Sequence, residues 1–216
     1  MKETVRSVAI RGLYAIIDPD ACRGRDPATI ARLVLEGGAS MLQWRDKGRD
    51  KGDQLPDARA IAALCLEYRA LFIVNDHADL AVAAGGDGVH LGQHDLPVAA
   101  VRPIVGPSLL IGFSTNDIAE ARAAEAAGAD YVAVGAIFAT SSKETTRPAS
   151  IERMGDVKAA VRVPVIAIGG INARNIGRVV AAGADAVAVI SAVCAADDPR
   201  AAAEELAAAF HRSARR

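Results

Sequence analysis

Three observations on this sequence predict a single-domain α/β fold, the closed (β/α)8 or TIM barrel. Eight short apolar runs recur along the 216 residues, at 12–17, 40–44, 71–75, 88–91, 109–113, 131–135, 165–168 and 186–190. The stretches between them, such as 53–68, 118–127, 174–182 and 199–210, are too long and too rich in alanine to be strands, and they have the spacing of helices. A degenerate repeat also closes a helical stretch and opens a strand four times, as Gly37-Gly38-Ala39-Ser40, Ala84-Gly85-Gly86-Asp87, Ala127-Gly128-Ala129-Asp130 and Ala182-Gly183-Ala184-Asp185. Its glycine suits the left-handed position that follows a helix.

Eight strand-plus-helix units in 216 residues are about 27 residues each, close to the minimum for such a unit, so no room remains for a second domain. The expected organisation is one barrel over 1–216, with 1–11 a short lead-in and 211–216 a basic C-terminal tail. An open doubly wound sheet is the alternative, but the G-x-G-x-x-G fingerprint of its dinucleotide-binding form is absent after the first run. Hydrophobic residues make up 51% of the chain, yet only four Phe, three Tyr and one Trp are aromatic, so the core is expected to be Ala, Val, Ile and Leu. Branched aliphatic layers of that kind fill a barrel.

Charge excludes several functions. With 25 basic and 26 acidic residues the net charge is −1, which offers no global field to nucleic acid or an anionic membrane. Cys22, Cys65 and Cys194 are odd in number and widely spaced, fitting neither a disulfide framework nor zinc ligation, and point to a reducing cytosol. The N-terminus lacks the apolar run of a signal peptide, and no stretch is apolar enough to span a bilayer, so a cytoplasmic protein is expected.

In a parallel barrel all strand-to-helix loops collect at one end, where function is built. The second strand ends in Gln43-Trp44-Arg45-Asp46-Lys47. Alternate residues of an extended chain point the same way, so Gln43, Arg45 and Lys47 either converge on one ligand or form a solvated strand end. The third strand leads into Asn75-Asp76-His77 and the fourth into Gly92-Gln93-His94-Asp95. Taken singly, Asp76 and Asp95 each read slightly better as a helix N-cap; taken together, beside a basic cluster, the reading as oxygen ligands of Mg2+ gains. His90 and His94 are interrupted by Gly92 and are no helical zinc pair; a structural or substrate-packing role suits them better. His77 starts a helix and His211 lies in the basic tail.

Ser114-Thr115-Asn116 follows the fifth strand, and any of the three could cap the next helix. The sixth is followed by a longer polar loop, residues 138–148, in which Lys143 stands among hydroxyls and suits a phosphate. Gly169-Gly170-Ile171-Asn172 after the seventh strand and Ser191-Ala192-Val193 after the eighth occupy the recurrent phosphate position of this fold.

Taken together, Gln43-x-Arg45-x-Lys47, Asn75-Asp76, the run from Gly88 to Asp95, Gly112-x-Ser114, Thr140-x-Ser142-Lys143, Ile168-Gly169-Gly170-Ile171 and Ile190-Ser191 resemble the thiamine-phosphate synthases, over residues 13–210. The resemblance implies a barrel enzyme that joins 4-amino-2-methyl-5-hydroxymethylpyrimidine diphosphate to 4-methyl-5-(2-hydroxyethyl)thiazole phosphate, or its carboxylated form, giving thiamine phosphate and pyrophosphate. It implies that Gln43, Arg45, Lys47, Asn75 and Lys143 hold the diphosphate, that Ser114 lies near the reacting pyrimidine and leaving group, and that Asp76 and Asp95 bind Mg2+. Thr140, Ser142, Gly170, Ile190 and Ser191 are implied for the thiazole phosphate, and Lys143, Arg45 and Ser114 as the catalytic set. Departures are small: Ser142 stands where the family often has Thr, and Ala139 where it often has Pro.

The implied mechanism is dissociative. Pyrophosphate leaves, a pyrimidinyl-methyl cation stabilised by the ring amino group remains, and the thiazole nitrogen captures it, so no protein nucleophile is required. A thiazole tautomerase of the same superfamily would need neither the diphosphate nor the Mg2+ residues and would carry a His after the fifth strand. A catalytically silent phosphate-binding barrel would have lost some of Arg45, Asp76, Asp95 or Lys143, and all are present. A phosphosugar isomerase would want an acid/base pair that neither Cys22 nor Cys194 has a partner to make.

Overall fold

The computed structural model describes residues 10–140 and 148–215. Strands and helices alternate from β1 (Gly12–Ile17), α1 (Pro27–Glu36) and β2 (Met41–Trp44) through α2 (Lys51–Tyr68), β3 (Leu71–Asn75) and α3 (Ala78–Ala84) to β4 (Gly88–Leu91) and α4 (Val98–Val105). The second half runs β5 (Leu110–Thr115), α5 (Ile118–Ala126), β6 (Tyr131–Val134), α6 (Ile151–Ala160), β7 (Val165–Ile168), α7 (Ile176–Ala181), β8 (Ala186–Val189), the short α8 (Ser191–Cys194) and α9 (Pro199–Ala214). All eight strands are parallel, each pairs with the next, and β8 closes on β1, so Tyr14 sits between Met41 and Ala188 in register. The predicted barrel is the observed fold.

Alternation along each strand sorts the core into two compartments. Outward residues such as Leu13, Leu42, Phe72, Val89, Ile111, Val132, Ala167 and Val187 pack under the helices. Inward residues, among them Ile16, Met41, Leu71, Ile73, Leu110, Ile166 and Ala186, fill the barrel. The interior is mostly aliphatic, as the composition predicts, but Tyr14 and Tyr131 also point inward and are fully buried, with Gln43 and His90 beside them. Gly112 makes the room, because a Cβ there would fall 2.0 Å from Tyr131 Cζ.

Helix starts follow local chemistry. Asp26, Asp117, Ser150 and Asp198 cap α1, α5, α6 and α9 by accepting from the backbone N–H three residues on, and proline opens α1 and α9. The repeat glycines Gly38, Gly85, Gly128 and Gly183 all have positive φ, between 73° and 97°, the turn from helix to strand that the sequence predicts.

The aspartates of the same repeat have a second task. Asp87, Asp130 and Asp185 each accept a side-chain hydrogen bond from the first free backbone N–H of the neighbouring strand: Phe72 at 2.9 Å, Ile111 at 2.9 Å and Val165 at 2.8 Å. They staple the lower rim of the barrel.

β5 and α9 run past their expected ends. β5 continues to Thr115 because Ser114 and Thr115 pair with Ala133 and Val134. α9 continues to Ala214, so most of the expected basic tail is helix. The three cysteines are buried and free, and no helix among the described residues is long and apolar enough to cross a membrane.

Candidate active site

The upper ends of β2, β3 and β4 gather the predicted diphosphate and metal residues. Gln43 points into the barrel and is 1% exposed. Arg45 leaves the strand still hydrogen-bonded to the Ile17 carbonyl and forms an ion pair with Asp18 at the end of β1. Lys47 reaches across to pair with Asp76. The three alternating residues lie on one side of the chain, each with its own partner: Gln43 inside the barrel against Tyr14, and Arg45 and Lys47 at its upper end. Asn75 is buried at the end of β3, in register with His90.

Neither predicted metal ligand caps a helix. α3 begins after His77 without a side-chain cap, and Asp76 holds a left-handed φ of 61°, its N–H bonded to the His90 carbonyl at 2.8 Å. The Asp95 carboxylate turns back to accept from the Gly92 N–H at 2.6 Å, while Pro97 opens α4. Asp76 and Asp95 lie within hydrogen-bonding reach of one another. Burial pushes the Asp76 carboxyl up, but the Lys47 ammonium, with a hydrogen bond that Asp95 donates when protonated, outweighs it and holds it below the ordinary range. Asp95 is raised, by burial first and then by the neighbouring Asp76. Two carboxylates in contact, one poorly compensated, form a place where a hard cation fits. Asp46, Lys47, Asp76, His77, Asp79 and Asp95 line an open depression of about 630 Å³ here.

The other half of the mouth, over β5 to β8, is a cavity of about 450 Å³. Ser114, Thr140, Gly170, Ile190 and Ser191 all line it, with Ala133, Ile168 and Ala188 as its apolar floor. Gly169 and Gly170 have positive φ of 101° and 62°, and a Cβ on Gly170 would lie 2.6 Å from the Ala139 carbonyl. Only glycine lets this turn pass under the loop after β6. α7 and α8 are six and four residues long, so an anion here would meet individual amides and hydroxyls rather than a long helix dipole. Gln93 and His94 line this cavity while Asp95 and Leu96 line the other, so one short loop borders both. Ser142 and Lys143 lie outside the described residues.

None of Ser114, Thr115 or Asn116 caps α5; Asp117 does, and Asn116 instead donates to the Gly135 carbonyl at 2.8 Å. Ser114 Oγ lies 2.9 Å from His90 Nε2, and His90 Nδ1 lies 3.2 Å from the Tyr131 hydroxyl. That hydroxyl lies 3.2 Å from the Tyr14 hydroxyl, to which Gln43 Nε2 donates at 2.7 Å. Burial drives both phenols well up from their ordinary value, so both stay protonated. The sequence reading missed Asp18, Tyr14 and Tyr131. Polar side chains at inward positions of apolar strands are the signal that marks the two tyrosines, and a carboxylate directly after β1 is the one that marks Asp18.

The comparisons agree with the geometry. The family profile described as thiamine monophosphate synthase matches residues 13–193. A thiamine-phosphate synthase from Methanoculleus marisnigri is 49% identical over 195 residues, 90% of this chain and 92% of that protein. One from Chlorobium limicola is 52% identical over 184 residues, 84% and 87% of the two chains. The solved thiamine phosphate pyrophosphorylase from Pyrococcus furiosus superposes with a TM-score of 0.88 at 37% identity, covering 96% of this chain and 98% of its own. By profile, by identity over most of its length and by fold, the chain belongs to the thiamine monophosphate synthase family.

Proposed function

We propose that this chain is a thiamine-phosphate synthase that joins 4-amino-2-methyl-5-hydroxymethylpyrimidine diphosphate to the thiazole phosphate with release of pyrophosphate. The observation that carries the reading is the pairing of two unlike sites at one mouth. One is the cation-and-carboxylate cluster of Lys47, Asp76 and Asp95; the other is an apolar cavity rimmed by Thr140, Gly170 and Ser191. A tautomerase or a passive binder of one phosphate has use only for the second.

In this reading the diphosphate lies over β2 to β4, held by Arg45, Lys47, Asn75 and, from the loop after β6, Lys143. Asp76 and Asp95 would hold Mg2+, which supplies charge neutralisation to the departing pyrophosphate. Arg45 meets the leaving group already oriented by Asp18, which lowers the reorganisation required as charge develops. With Asp76 and Asp95 engaged by the ion, Lys47 would be free to turn its ammonium from Asp76 to the phosphates. The C–O bond breaks with its electron pair going to pyrophosphate, and the pyrimidinyl-methyl carbon becomes cationic. The thiazole nitrogen, presented from the cavity over β5 to β8, donates its pair to that carbon. The apolar floor of Ala133, Ile168 and Ala188 keeps water from competing for it.

Asp95→Asn tests the metal assignment independently of the resemblance. It is expected to lower turnover at limiting Mg2+ by about 100-fold, with recovery at high Mg2+. Unchanged Mg2+ dependence in steady-state assays overturns the assignment.

A further inference from the structure

We propose that Tyr14 and Tyr131 are positioning residues which, through His90, orient the Ser114 hydroxyl as a hydrogen-bond donor into the active-site cavity. The proposal rests on the reading of Ser114 as a residue at the reacting centre. It explains two buried hydroxyls that nothing else in the site uses.

A chain of hydrogen bonds crosses the barrel interior, and its protons can be counted link by link. Gln43 Nε2 has only protons to offer and gives one to the Tyr14 oxygen at 2.7 Å. The single Tyr14 proton then serves the 3.2 Å contact with Tyr131. Tyr131, having accepted, points its own proton at His90 Nδ1, 3.2 Å away. His90 therefore accepts at Nδ1, carries its proton on Nε2 and gives it to Ser114 Oγ at 2.9 Å. Ser114 lines the cavity, and having accepted from His90 it directs its own hydrogen there. Every link runs the same way, so each donation strengthens the next in a low-dielectric interior.

Packing holds the members of the chain in place. His90 and Tyr131 stack with ring centroids 5.6 Å apart and an interplanar angle of 21°, which fixes the imidazole plane. Gly112 leaves the space that the Tyr131 ring occupies. The Gln43 amide turns Nε2 to Tyr14, and its Oε1 is buried with no hydrogen-bond partner among the described residues. Neither tyrosine lines the cavity, and among the described residues the path from their hydroxyls to it runs through His90 and Ser114. At the reacting centre no proton changes owner. The departing oxygen takes the C–O electron pair, and Ser114 steadies the developing charge by donation alone.

The test is direct. Ring-nitrogen NMR on 15N-histidine-labelled, ligand-free protein, with the His90 signals assigned by their loss in His90→Gln, is expected to show a neutral ring with a pyridine-type Nδ1 and a protonated Nε2. A proton on Nδ1 overturns the chain whether or not the protein is active. Tyr131→Phe and Tyr14→Phe are expected to weaken that tautomer preference and to lower kcat by about 10-fold or more, with KM for both substrates within about 3-fold. Retention of the wild-type kcat in both variants overturns the positioning role even if the tautomer is as stated. Failure of wild-type protein to make product would instead count against the proposed function, which the NMR result does not depend on.

Discussion

Asp76, Asp95 and Lys47 set the sharpest constraints at the scale of single residues. The two carboxylates are close enough to repel, and Lys47 compensates mainly Asp76. Removing one of those charges relieves the metal-free protein: Asp95→Asn is expected to raise the melting temperature in EDTA while lowering activity, a site tuned for its ligand rather than for stability. A lower melting temperature in EDTA would show that the carboxylates do not oppose each other as described. Lys143→Ala is expected to remove most turnover and leave the melting temperature unchanged; near-normal product formation would reject its leaving-group role. The residues proposed to hold ligand were legible from sequence because they are polar and stand at strand ends. Tyr14, Tyr131 and Asp18 were not, since a tyrosine in an apolar run reads as core and a lone aspartate after a strand reads as a turn. Their meaning emerges only when β1, β4, β5 and β6 are brought around one axis.

At the scale of elements, the repeated Gly-x-Asp turns do more than reverse the chain. Asp130 accepts from the Ile111 N–H at 2.9 Å and pairs with Arg102 at 2.6 Å, tying β5, β6 and α4 together below the barrel. Asp130→Ala leaves an amide and a guanidinium without that partner and is expected to cost about 2 kcal/mol, read as a fall of roughly 4–8 °C in melting temperature. kcat should stay within about 2-fold, because the staple lies at the end opposite the site. The loop between β2 and α2 supplies a pH test. Burial opposes the Asp46 charge, but the Gly48 N–H, the Arg49 side chain and the Arg49 N–H hold its carboxyl below the ordinary range. With a folded pKa below the unfolded value of about 3.9, its stabilisation is full above that value and is lost as pH falls through the folded one. Asp46→Ala is therefore expected to reduce the difference in melting temperature between neutral and acidic solution; an unchanged difference would refute the linkage. The strands were found from sequence to within one or two residues, because parallel strands buried on both faces are continuous apolar runs. The extension of β5 was hidden because Ser114 and Thr115 are polar residues that still pair with β6.

At the scale of the whole molecule, closure of the ring brings the first and last units of the barrel together. β8 pairs with β1 while α9 lies against α1, and the contact is tight: a Cβ on Gly37 would fall 2.5 Å from the Arg200 carbonyl and 2.6 Å from Ala203 Cβ. Gly37→Ala is expected to lower stability by about 1–3 kcal/mol in denaturant unfolding, and an unaffected midpoint would show that the seam can yield. The net charge of −1 describes the molecule and not its mouth, where Arg45 and Lys47 stand beside Asp18, Asp76 and Asp95. That local pattern was readable only because the fold class told which residues share one end. The central claim is that both halves of the mouth serve one reaction. The measurement that tests it most directly is to incubate the purified protein with Mg2+ and the two substrates and to quantify pyrophosphate and thiamine phosphate in the same sample. Equal amounts of both, arrested by EDTA and resumed on adding Mg2+, are predicted; pyrophosphate without thiamine phosphate, neither product, or an undiminished rate in EDTA would contradict it.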